Sequence, residues 1–309
     1  MDSRDHAKIY HGKIMLFGEY SVMEGSWAAL IPYRKLQAKL SFPGENIKQE
    51  EVASNRLLRA FATYLGERNQ KGPEYIDHLV LDHDLQQGLY LESTIPQNYG
   101  LGSSGALCAA VFEAYRTDPL RESQLSMQEL RKLFADMESY FHGSSSGVDP
   151  LCIYLDEPLV IRNHEYQKPG VAGKDGRDNL KMFLIDTGHK SHTGPYVRHF
   201  RDQIKHAAYR NDFTQRYVPL VNEAVEQWLA GQLQMDIVMA LSAEQLLFFK
   251  GMVPASCHEI WRKGIEKGLY ACKLCGSGGG GMILGFTKDL ERTADFLNSN
   301  YKILIIPVT

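Results

Sequence analysis

Residues 96–106 read PQNYGLGSSGA, and this glycine-rich stretch is the most informative part of the 309-residue sequence. Gly100, Gly102 and Gly105 allow backbone amides to turn toward a ligand without interference from a Cβ atom. The Ala-rich residues that follow predict a helix, whose first N–H groups and positive dipole end would face the same ligand. The stretch therefore predicts a loop that binds an anion such as phosphate.

The two serines of this stretch add a second kind of ligand. The hydroxyls of Ser103 and Ser104 can hold an oxyanion or a Mg²⁺ ion, because hard cations prefer oxygen ligands. The alternative is an ordinary capped helix after a loose turn. Three glycines and two serines in six residues are more than a helix cap needs. We therefore favour phosphate binding.

Two carboxylates joined by a Gly/Ser turn form a second cluster, residues 138–150, with the sequence ESYFHGSSSGVDP. Glu138 lies at the edge of the apolar face of a helix predicted over residues 126–141. Asp149 comes directly before Pro150, an arrangement typical of a helix N-cap followed by proline at the first helical position. The two carboxylates could converge, one binding a metal and the other accepting a proton. Taken alone, each is better explained as a structural residue: a solvated helix glutamate and a capping aspartate.

A second glycine-rich loop lies near the C-terminus, where residues 276–281 read GSGGGG. Five glycines in six positions are costly in backbone entropy, so they indicate close approach of the backbone to phosphates or to another chain segment. The spacing of Gly276, Gly278 and Gly281 matches the dinucleotide fingerprint G-x-G-x-x-G. That fingerprint needs a helix after the loop, whereas residues 282–286 read as a strand. A Rossmann site is therefore not expected.

Other motif matches are weaker. Residues 143–147, GSSSG, fit the G-x-S-x-G nucleophile elbow of serine hydrolases, with Ser145 as the nucleophile. The elbow needs a strand before the serine, but a strongly periodic helix is predicted there. Cys272 and Cys275 form a single C-x-x-C pair, which is better explained by buried structural cysteines. The P-loop pattern G-x-x-x-x-G-K-[ST] does not occur in the sequence.

A single lysine interrupts an apolar segment near the N-terminus. Lys13 lies in residues 11–20, HGKIMLFGEY, which otherwise read as a strand. Such a lysine either snorkels to solvent or pairs with a buried carboxylate. From composition alone snorkelling is the more common outcome, so Lys13 by itself does not indicate chemistry.

Composition and charge exclude several classes of protein. The chain has 34 basic and 37 acidic residues, so no global field favours nucleic acid. No apolar run approaches the roughly 20 residues that span a bilayer, and residues 1–6 are too polar for a signal peptide. Five cysteines are an odd number, which fits a reducing compartment. We expect a cytoplasmic protein that binds neither nucleic acid nor a membrane.

Length and the order of the predicted elements limit the fold. A chain of 309 residues suggests about two domains, with the polar residues 168–179 as the linker. Predicted strands and helices mix without strict alternation. This pattern favours an α+β fold over a doubly wound sheet.

In order and spacing, these clusters resemble the three motifs of the GHMP kinase superfamily. Residues 13–20, KIMLFGEY, are similar to the first motif, residues 96–106 to the second, and residues 275–284, CGSGGGGMIL, to the third. Residues 138–149, which follow E-x-x-x-H-G-x-x-S-G-V-D, resemble the mevalonate kinases in particular. Together the motifs extend over nearly the whole chain.

The resemblance implies a two-domain α+β fold. Residues 1–178 would form an N-terminal, ATP-binding domain like the second domain of ribosomal protein S5. Residues 179–309 would form a ferredoxin-like C-terminal domain. ATP and a small-molecule substrate would bind between them.

The resemblance also implies a reaction: ATP- and Mg²⁺-dependent phosphorylation of the primary hydroxyl of mevalonate, in isoprenoid precursor biosynthesis. Asp149 would take the proton from that hydroxyl, and Lys13 would lower its pKa. Ser104 and Glu138 would bind Mg²⁺. The implied ATP-phosphate-binding residues are Gly100, Leu101, Gly102, Ser103, Ser104 and Gly105. The implied substrate and phosphate loop residues are Glu19, Tyr20, His142, Ser146, Gly276, Ser277, Gly278 and Gly279.

Two residues depart from the mevalonate kinase pattern. Tyr20 stands where these kinases usually have a histidine beside the substrate, and Tyr99 replaces a small residue before Gly100. The sequences GEY and SSGA are closer to phosphomevalonate kinases. The reaction type is unaffected, but phosphomevalonate kinase or another GHMP small-molecule kinase stays an alternative. The sequence also leaves open whether the chain forms a homodimer.

Overall fold

The structure is a computed structural model that describes residues 8–69, 74–117, 125–163, 165–169, 180–191 and 193–308. The chain divides into two compact units. The first comprises Met1–Lys13, Pro32–Pro96 and Gly102–Glu157, and the second comprises Ile14–Ile31, Gln97–Leu101 and Pro158–Thr309. Most of the expected linker, and the expected domain boundary between residues 178 and 179, lie outside the described residues. That boundary therefore stays a prediction.

Three helices of the first unit carry the candidate residues Ser104, Glu138 and Asp149. The helices of this unit are α1 (Gln49–Asn69), α2 (His78–Gln86), α3 (Ser103–Tyr115), α4 (Met127–His142) and α5 (Val148–Leu155). The strands β1 (Tyr10–Phe17) and β2 (Ala28–Ser41) each run from one unit into the other along the chain. Within the first unit, β2 pairs antiparallel with β3 (Tyr90–Ser93).

Helix α4 is defined by a capping box at its start, a buried apolar face and a glycine at its end. Its N-cap Ser126 accepts a hydrogen bond from the Glu129 amide, and the Glu129 carboxylate accepts one from the Ser126 amide, which completes a capping box. Leu130 and Phe134 are buried at helical spacing, and Gly143 ends the helix with φ of 73°. The helix predicted over residues 126–141 is thus confirmed within one residue at each end.

Two structural interpretations of the carboxylates are wrong. Glu138 is not a solvated helix residue, because only 4% of it is exposed. Asp149 is not the N-cap of α5; that position belongs to Gly147, and Asp149 lies inside the first turn. Gly147 fills this position because it has φ of 73° and because a Cβ there would lie 2.1 Å from the Arg131 carbonyl oxygen.

The second unit is built on a sheet covered by helices. The strands that lie entirely within this unit are β4 (Leu159–Arg162), β5 (Glu165–Gln167), β6 (Lys181–Asp186), β7 (Tyr270–Leu274), β8 (Met282–Thr287) and β9 (Ile305–Pro307). Strands β7, β8, β6 and β9 form an antiparallel sheet in that order, and β4 pairs with β2. Since β8 follows the second glycine-rich loop as a buried strand, the exclusion of a Rossmann site is confirmed.

The helices of this unit follow in chain order. They are α6 (Thr193–Gln203), α7 (Ala207–Asp212), a π-helical turn (Phe213–Tyr217), α8 (Val218–Leu229), α9 (Met235–Phe248), α10 (Ala255–Glu266) and α11 (Leu290–Tyr301). Two short 3₁₀ turns occur at Ser21–Glu24 and Lys250–Met252. Mixed strands and helices without strict alternation agree with the predicted α+β class. No helix in the described part of the chain is long and apolar enough to cross a bilayer.

Two buried polar side chains of α9 satisfy the backbone of β7. The Gln245 amide oxygen accepts a hydrogen bond of 2.6 Å from the Leu274 N–H, and its amide nitrogen donates to the Tyr217 hydroxyl at 2.7 Å. Ser242 Oγ accepts from the Cys272 N–H at 3.1 Å. Because unpaired buried backbone groups are costly, these contacts fix the end of β7 from which the second glycine-rich loop leaves.

Candidate active site

A buried ion pair lies at the centre of the first cluster of candidate residues. Lys13 projects from β1 with only 2% of its side chain exposed, and its Nζ lies 2.6 Å from Asp149 Oδ2. Of the two outcomes considered for such a lysine, pairing with a carboxylate occurs and snorkelling, the commoner one from composition alone, does not. A buried ammonium is tolerated only beside a compensating charge, and Asp149 supplies that charge while a third of its own side chain stays exposed.

The glycines at the start of α3 allow close packing around this pair. Gly102 is the N-cap with φ of 89°, and a Cβ there would lie 2.7 Å from Ile153 and 3.0 Å from the Lys13 side chain. A Cβ at Gly105 would lie 3.0 Å from the Pro150 nitrogen. The sequence pattern predicts that both glycines belong to a phosphate-binding loop. In this structure they also bring the N-terminus of α3 against the lysine and α5.

Glu138 is held by two serine hydroxyls. Ser104 Oγ, in the first turn of α3, donates to Glu138 Oε1 at 2.8 Å. Ser145 Oγ donates to Glu138 Oε2 at 2.5 Å, and His142 Nε2 lies 3.2 Å from Ser104 Oγ. Burial, together with the charge of Asp149, raises the pKa of Glu138 to about 7, although the two serine hydrogen bonds and Lys13 act in the opposite direction.

The residues expected to bind Mg²⁺ fit that ion. Ser104 Oγ and Glu138 Oε1 are 2.8 Å apart, and two ligands of one octahedral Mg²⁺, at 2.0–2.1 Å from it, lie about 2.9 Å apart. Within the described residues, no three His, Cys, Asp or Glu side chains gather into a metal site. A protein contribution of one carboxylate and one hydroxyl suits Mg²⁺, which usually keeps waters and substrate phosphates as its other ligands.

The structure gives Ser145 a different environment from that of a hydrolase nucleophile. Helix α4 precedes it, where the elbow requires a strand. Its Oγ bonds to Glu138 and accepts a hydrogen bond of 2.9 Å from the Gly147 N–H. The serine hydrolase alternative is therefore wrong, because Ser145 does not follow the strand that a nucleophile elbow requires.

The remaining candidates of the first unit flank this network. Burial lowers the pKa of His142, which favours the neutral ring beside Ser104. The Ser146 side chain is exposed, its Oγ lies 3.4 Å from the Val148 N–H, and its carbonyl accepts a hydrogen bond from Arg131. Ser146 thus supports the start of α5. Ser103 is half-buried in the first turn of α3.

A second cluster of candidates lies in the second unit, where two loops meet backbone to backbone. Gly100 has φ of 77°, and a Cβ there would lie 1.9 Å from the Cys275 carbonyl oxygen. A Cβ at Gly281 would lie 2.7 Å from the Tyr99 backbone, and the Met282 N–H donates to the Tyr99 carbonyl at 3.2 Å. Close approach of another chain segment, one of the two explanations considered for the second glycine-rich loop, therefore accounts for these glycines.

Gly100→Ala is expected to lower the free energy of unfolding by more than about 2 kcal/mol. A left-handed backbone costs a residue with a Cβ roughly 1–2 kcal/mol, and the Cys275 carbonyl would have to move as well. Gly231→Ala is the matched control, because Gly231 has φ of 65° and no described atom beyond its chain neighbours lies within 4 Å of an added Cβ. Urea unfolding of both variants measures the difference. Equal losses would contradict the backbone contact at Gly100.

The sequence missed the partner of Glu19. Glu19 and Lys273 form an ion pair in which each side chain is 2% exposed, and Lys273 Nζ also donates to the carbonyl oxygens of Met15, at 3.2 Å, and Leu274, at 2.5 Å. Lys273 is a lone lysine in an otherwise apolar strand, the same pattern as Lys13. A lone lysine in an apolar strand, directly before a glycine-rich loop, was the sequence signal that could have identified Lys273 as a buried, paired residue.

The remaining candidates of the second unit belong to the loops already described. Leu101 is buried and could offer a ligand only its backbone. Gly276, Ser277, Gly278 and Gly279 lie between β7 and β8, and the Ser277 carbonyl accepts a hydrogen bond from the Tyr20 hydroxyl at 2.6 Å. The candidates thus divide into two clusters, one in each unit, and the chain passes from one to the other between Leu101 and Gly102.

The chain is similar to kinases over nearly its whole length. The mevalonate kinase of Aeropyrum pernix is 24% identical over 301 residues, which cover 91% of this chain and 88% of that protein. The structure of L. major mevalonate kinase in complex with R-mevalonate superposes with a TM-score of 0.65 at 19% identity, covering 97% of this chain and 95% of that one. Streptococcus pneumoniae phosphomevalonate kinase, in complex with phosphomevalonate and AMPPNP, gives a TM-score of 0.61 at 14% identity, covering 96% and 97%. At these identities the two structures establish the fold alone.

Two family models match in the order that the motifs predicted. The model of the GHMP kinases N terminal domain matches residues 56–156, and that of the GHMP kinases C terminal domain matches residues 239–303. With the shared fold, these matches confirm the predicted two-domain architecture. The chain belongs to the GHMP kinase superfamily.

Proposed function

We propose that this kinase transfers the γ-phosphate of ATP to the primary hydroxyl of mevalonate. The observation that carries the proposal is the pair formed by Lys13 and Asp149, 2.6 Å apart at the N-terminal end of α5. An alcohol, like water, is a very weak acid that stays protonated at neutral pH. An alcohol that is to accept a phosphoryl group therefore benefits from a base beside a cation.

The two residues of the pair can assist the reaction in different ways, Asp149 by accepting a proton and Lys13 by stabilising charge. The carboxylate of Asp149 can accept the hydroxyl proton, because a side-chain carboxylate is a suitable general base. As the substrate oxygen bonds to the γ-phosphorus and ADP leaves, Lys13 stabilises the negative charge that develops on that oxygen. Catalysis then consists of positioning and charge stabilisation, as expected for phosphoryl transfer.

The N-terminus of α3 is the proposed phosphate cradle. The first N–H groups of a helix lack intrahelical partners and carry the positive end of the dipole, and Gly102, Ser103, Ser104 and Gly105 supply those groups here. Ser104 and Glu138 would hold Mg²⁺, which when bound neutralises charge on the phosphate oxygens. All five cysteines lie in the described part of the chain and none forms a disulfide, which agrees with a cytoplasmic enzyme.

Charge around the pair supports mevalonate over phosphomevalonate. A phosphate acceptor is already ionised at neutral pH and would gain little from a base, but it would need additional cations. The flanking cations that could serve such an acceptor are Arg34, Lys35, Lys190 and Arg198, and of these Arg34 forms an ion pair of 3.0 Å with Asp156. Lys190 and Arg198 are exposed in the second unit, and they keep phosphomevalonate as the second candidate.

Release of ADP, measured by a coupled assay, tests this function against four acceptors. Mevalonate is expected to give the largest rate among mevalonate, phosphomevalonate, homoserine and galactose. The reaction is expected to require both ATP and Mg²⁺. A larger rate with homoserine or galactose would contradict the proposed acceptor, and no release with any of the four would contradict the substrate class.

A further inference from the structure

Tyr20 adopts a backbone conformation that is unusual for a residue with a side chain. Its φ of 62° and ψ of −44° lie in a sparsely populated region. Only 7% of the residue is exposed, and its ring packs against those of Phe200 and Phe249, with centroids 5.0 Å and 5.3 Å away. Such a conformation persists only where surrounding contacts determine it.

The hydroxyl of Tyr20 is already engaged. It donates a hydrogen bond of 2.6 Å to the carbonyl oxygen of Ser277, inside the second glycine-rich loop. Burial, with a smaller contribution from Glu19, raises the pKa of Tyr20, so the phenol stays protonated and remains a donor. Because the phenol has a single proton, this bond leaves the hydroxyl no proton to donate to a ligand.

The residue before Tyr20 is tied to the strand that leads into the same loop. Glu19 forms its buried ion pair with Lys273 on β7. Two consecutive residues of one turn therefore hold the end of β7 and the loop that follows it. A buried charge pair tolerates little displacement, because separating the charges would leave each without compensation.

The rest of the loop is tied mainly through its backbone. Ser191 Oγ donates to the Gly278 carbonyl. The Gly279 N–H donates to the Met252 carbonyl at 2.5 Å, and the Gly281 N–H to the His189 carbonyl at 2.6 Å. Glycines lose more conformational freedom on ordering than other residues, so each fixed contact matters to such a loop.

We propose that Tyr20 is a positioning residue whose hydroxyl and ring fix residues 276–281 before any ligand is bound. This changes the role that the family resemblance assigned to position 20, from contact with substrate to support of the loop. Only the kinetic consequence rests on the proposed function; the structural consequence belongs to the ligand-free protein.

Hydrogen exchange in the ligand-free protein measures the structural consequence. Tyr20→Phe keeps the ring and removes the hydroxyl. The amides of residues 276–281 are expected to exchange about three- to tenfold faster, the range that corresponds to one lost hydrogen bond.

Tyr270→Phe is the matched control. It removes a hydrogen bond of 2.7 Å from a buried tyrosine hydroxyl to the Ile260 carbonyl in the same unit. A similar loss of thermal stability is expected, without faster exchange in the loop. Unchanged loop exchange in Tyr20→Phe, or equal acceleration in the control, would overturn the proposal.

Kinetics separate positioning from a merely structural role. Because the loop is assigned to both phosphate and substrate, Tyr20→Phe is expected to lower kcat/KM for ATP and for the acceptor by a similar factor, about tenfold. A loss confined to the acceptor would indicate a substrate contact, and unchanged kinetics would indicate structural support only. Either result would contradict positioning. If mevalonate is not the acceptor, the exchange experiment still tests the loop.

Discussion

Asp149→Asn is expected to lower kcat by about 10²–10⁴, the usual contribution of a positioned general base. The amide cannot accept the hydroxyl proton, and it also removes the negative charge that faces Lys13 at 2.6 Å. ATP affinity should change little, because the proposed phosphate cradle is the N-terminus of α3. Single-turnover kinetics and equilibrium binding of an ATP analogue measure the two effects separately.

Asp156→Asn is the control for this prediction. Asp156 lies at the end of the same helix, where its carboxylate pairs with Arg34 and with His11 at 2.9 Å. The pair with Arg34 is exposed, and removing an exposed ion pair typically costs less than about 1 kcal/mol. Since Asp156 does not contact Lys13 or Asp149 in any described ion pair, kcat should stay within about twofold of the wild type. If Asp149→Asn folds and keeps more than about a tenth of wild-type kcat, Asp149 is not the base.

Glu138→Gln is expected to raise the Mg²⁺ concentration needed for half-maximal activity by about tenfold or more and to depress kcat. An amide is a poorer ligand than a carboxylate for a hard cation. Burial raises the pKa of Glu138 to about 7, so the neutral amide resembles its protonated form, and the variant should fold.

Binding of Mn²⁺ together with a non-hydrolysable ATP analogue, followed by electron paramagnetic resonance, gives a readout that does not depend on turnover. Glu129→Gln is the matched control. Glu129 lies on the same helix, and its carboxylate accepts a hydrogen bond from the Ser126 amide in the capping box. Mg²⁺ and Mn²⁺ titrations of Glu138→Gln that coincide with those of the wild type would show that Glu138 binds no metal.

Local patterns located helix α4 and strand β8. Helix α4 could be located because its apolar residues recur at helical spacing and a serine and a glycine mark its ends. Strand β8 could be assigned because a continuous apolar run follows the glycines. Both signals lie within a few residues of the feature that they predict.

Pairings between distant residues left no comparable signal. Lys13 meets a carboxylate more than a hundred residues away, and Glu19 meets Lys273 at a separation of 254 residues. No local periodicity reports such contacts, so composition favoured a solvent-exposed Lys13. Family resemblance named Asp149 and Glu138 as functional, but neither it nor periodicity indicated that Ser145 holds Glu138 or that Tyr20 supports a loop.

Whether the Lys13–Asp149 pair acts on an alcohol is decided by kcat/KM for mevalonate and for phosphomevalonate, measured on one enzyme preparation at saturating ATP and Mg²⁺. We expect mevalonate to be preferred, because its hydroxyl needs the base and the cation that the pair supplies. Preference for phosphomevalonate by more than about tenfold, or about 1.4 kcal/mol of transition-state stabilisation, would contradict the assignment while leaving the kinase fold in place.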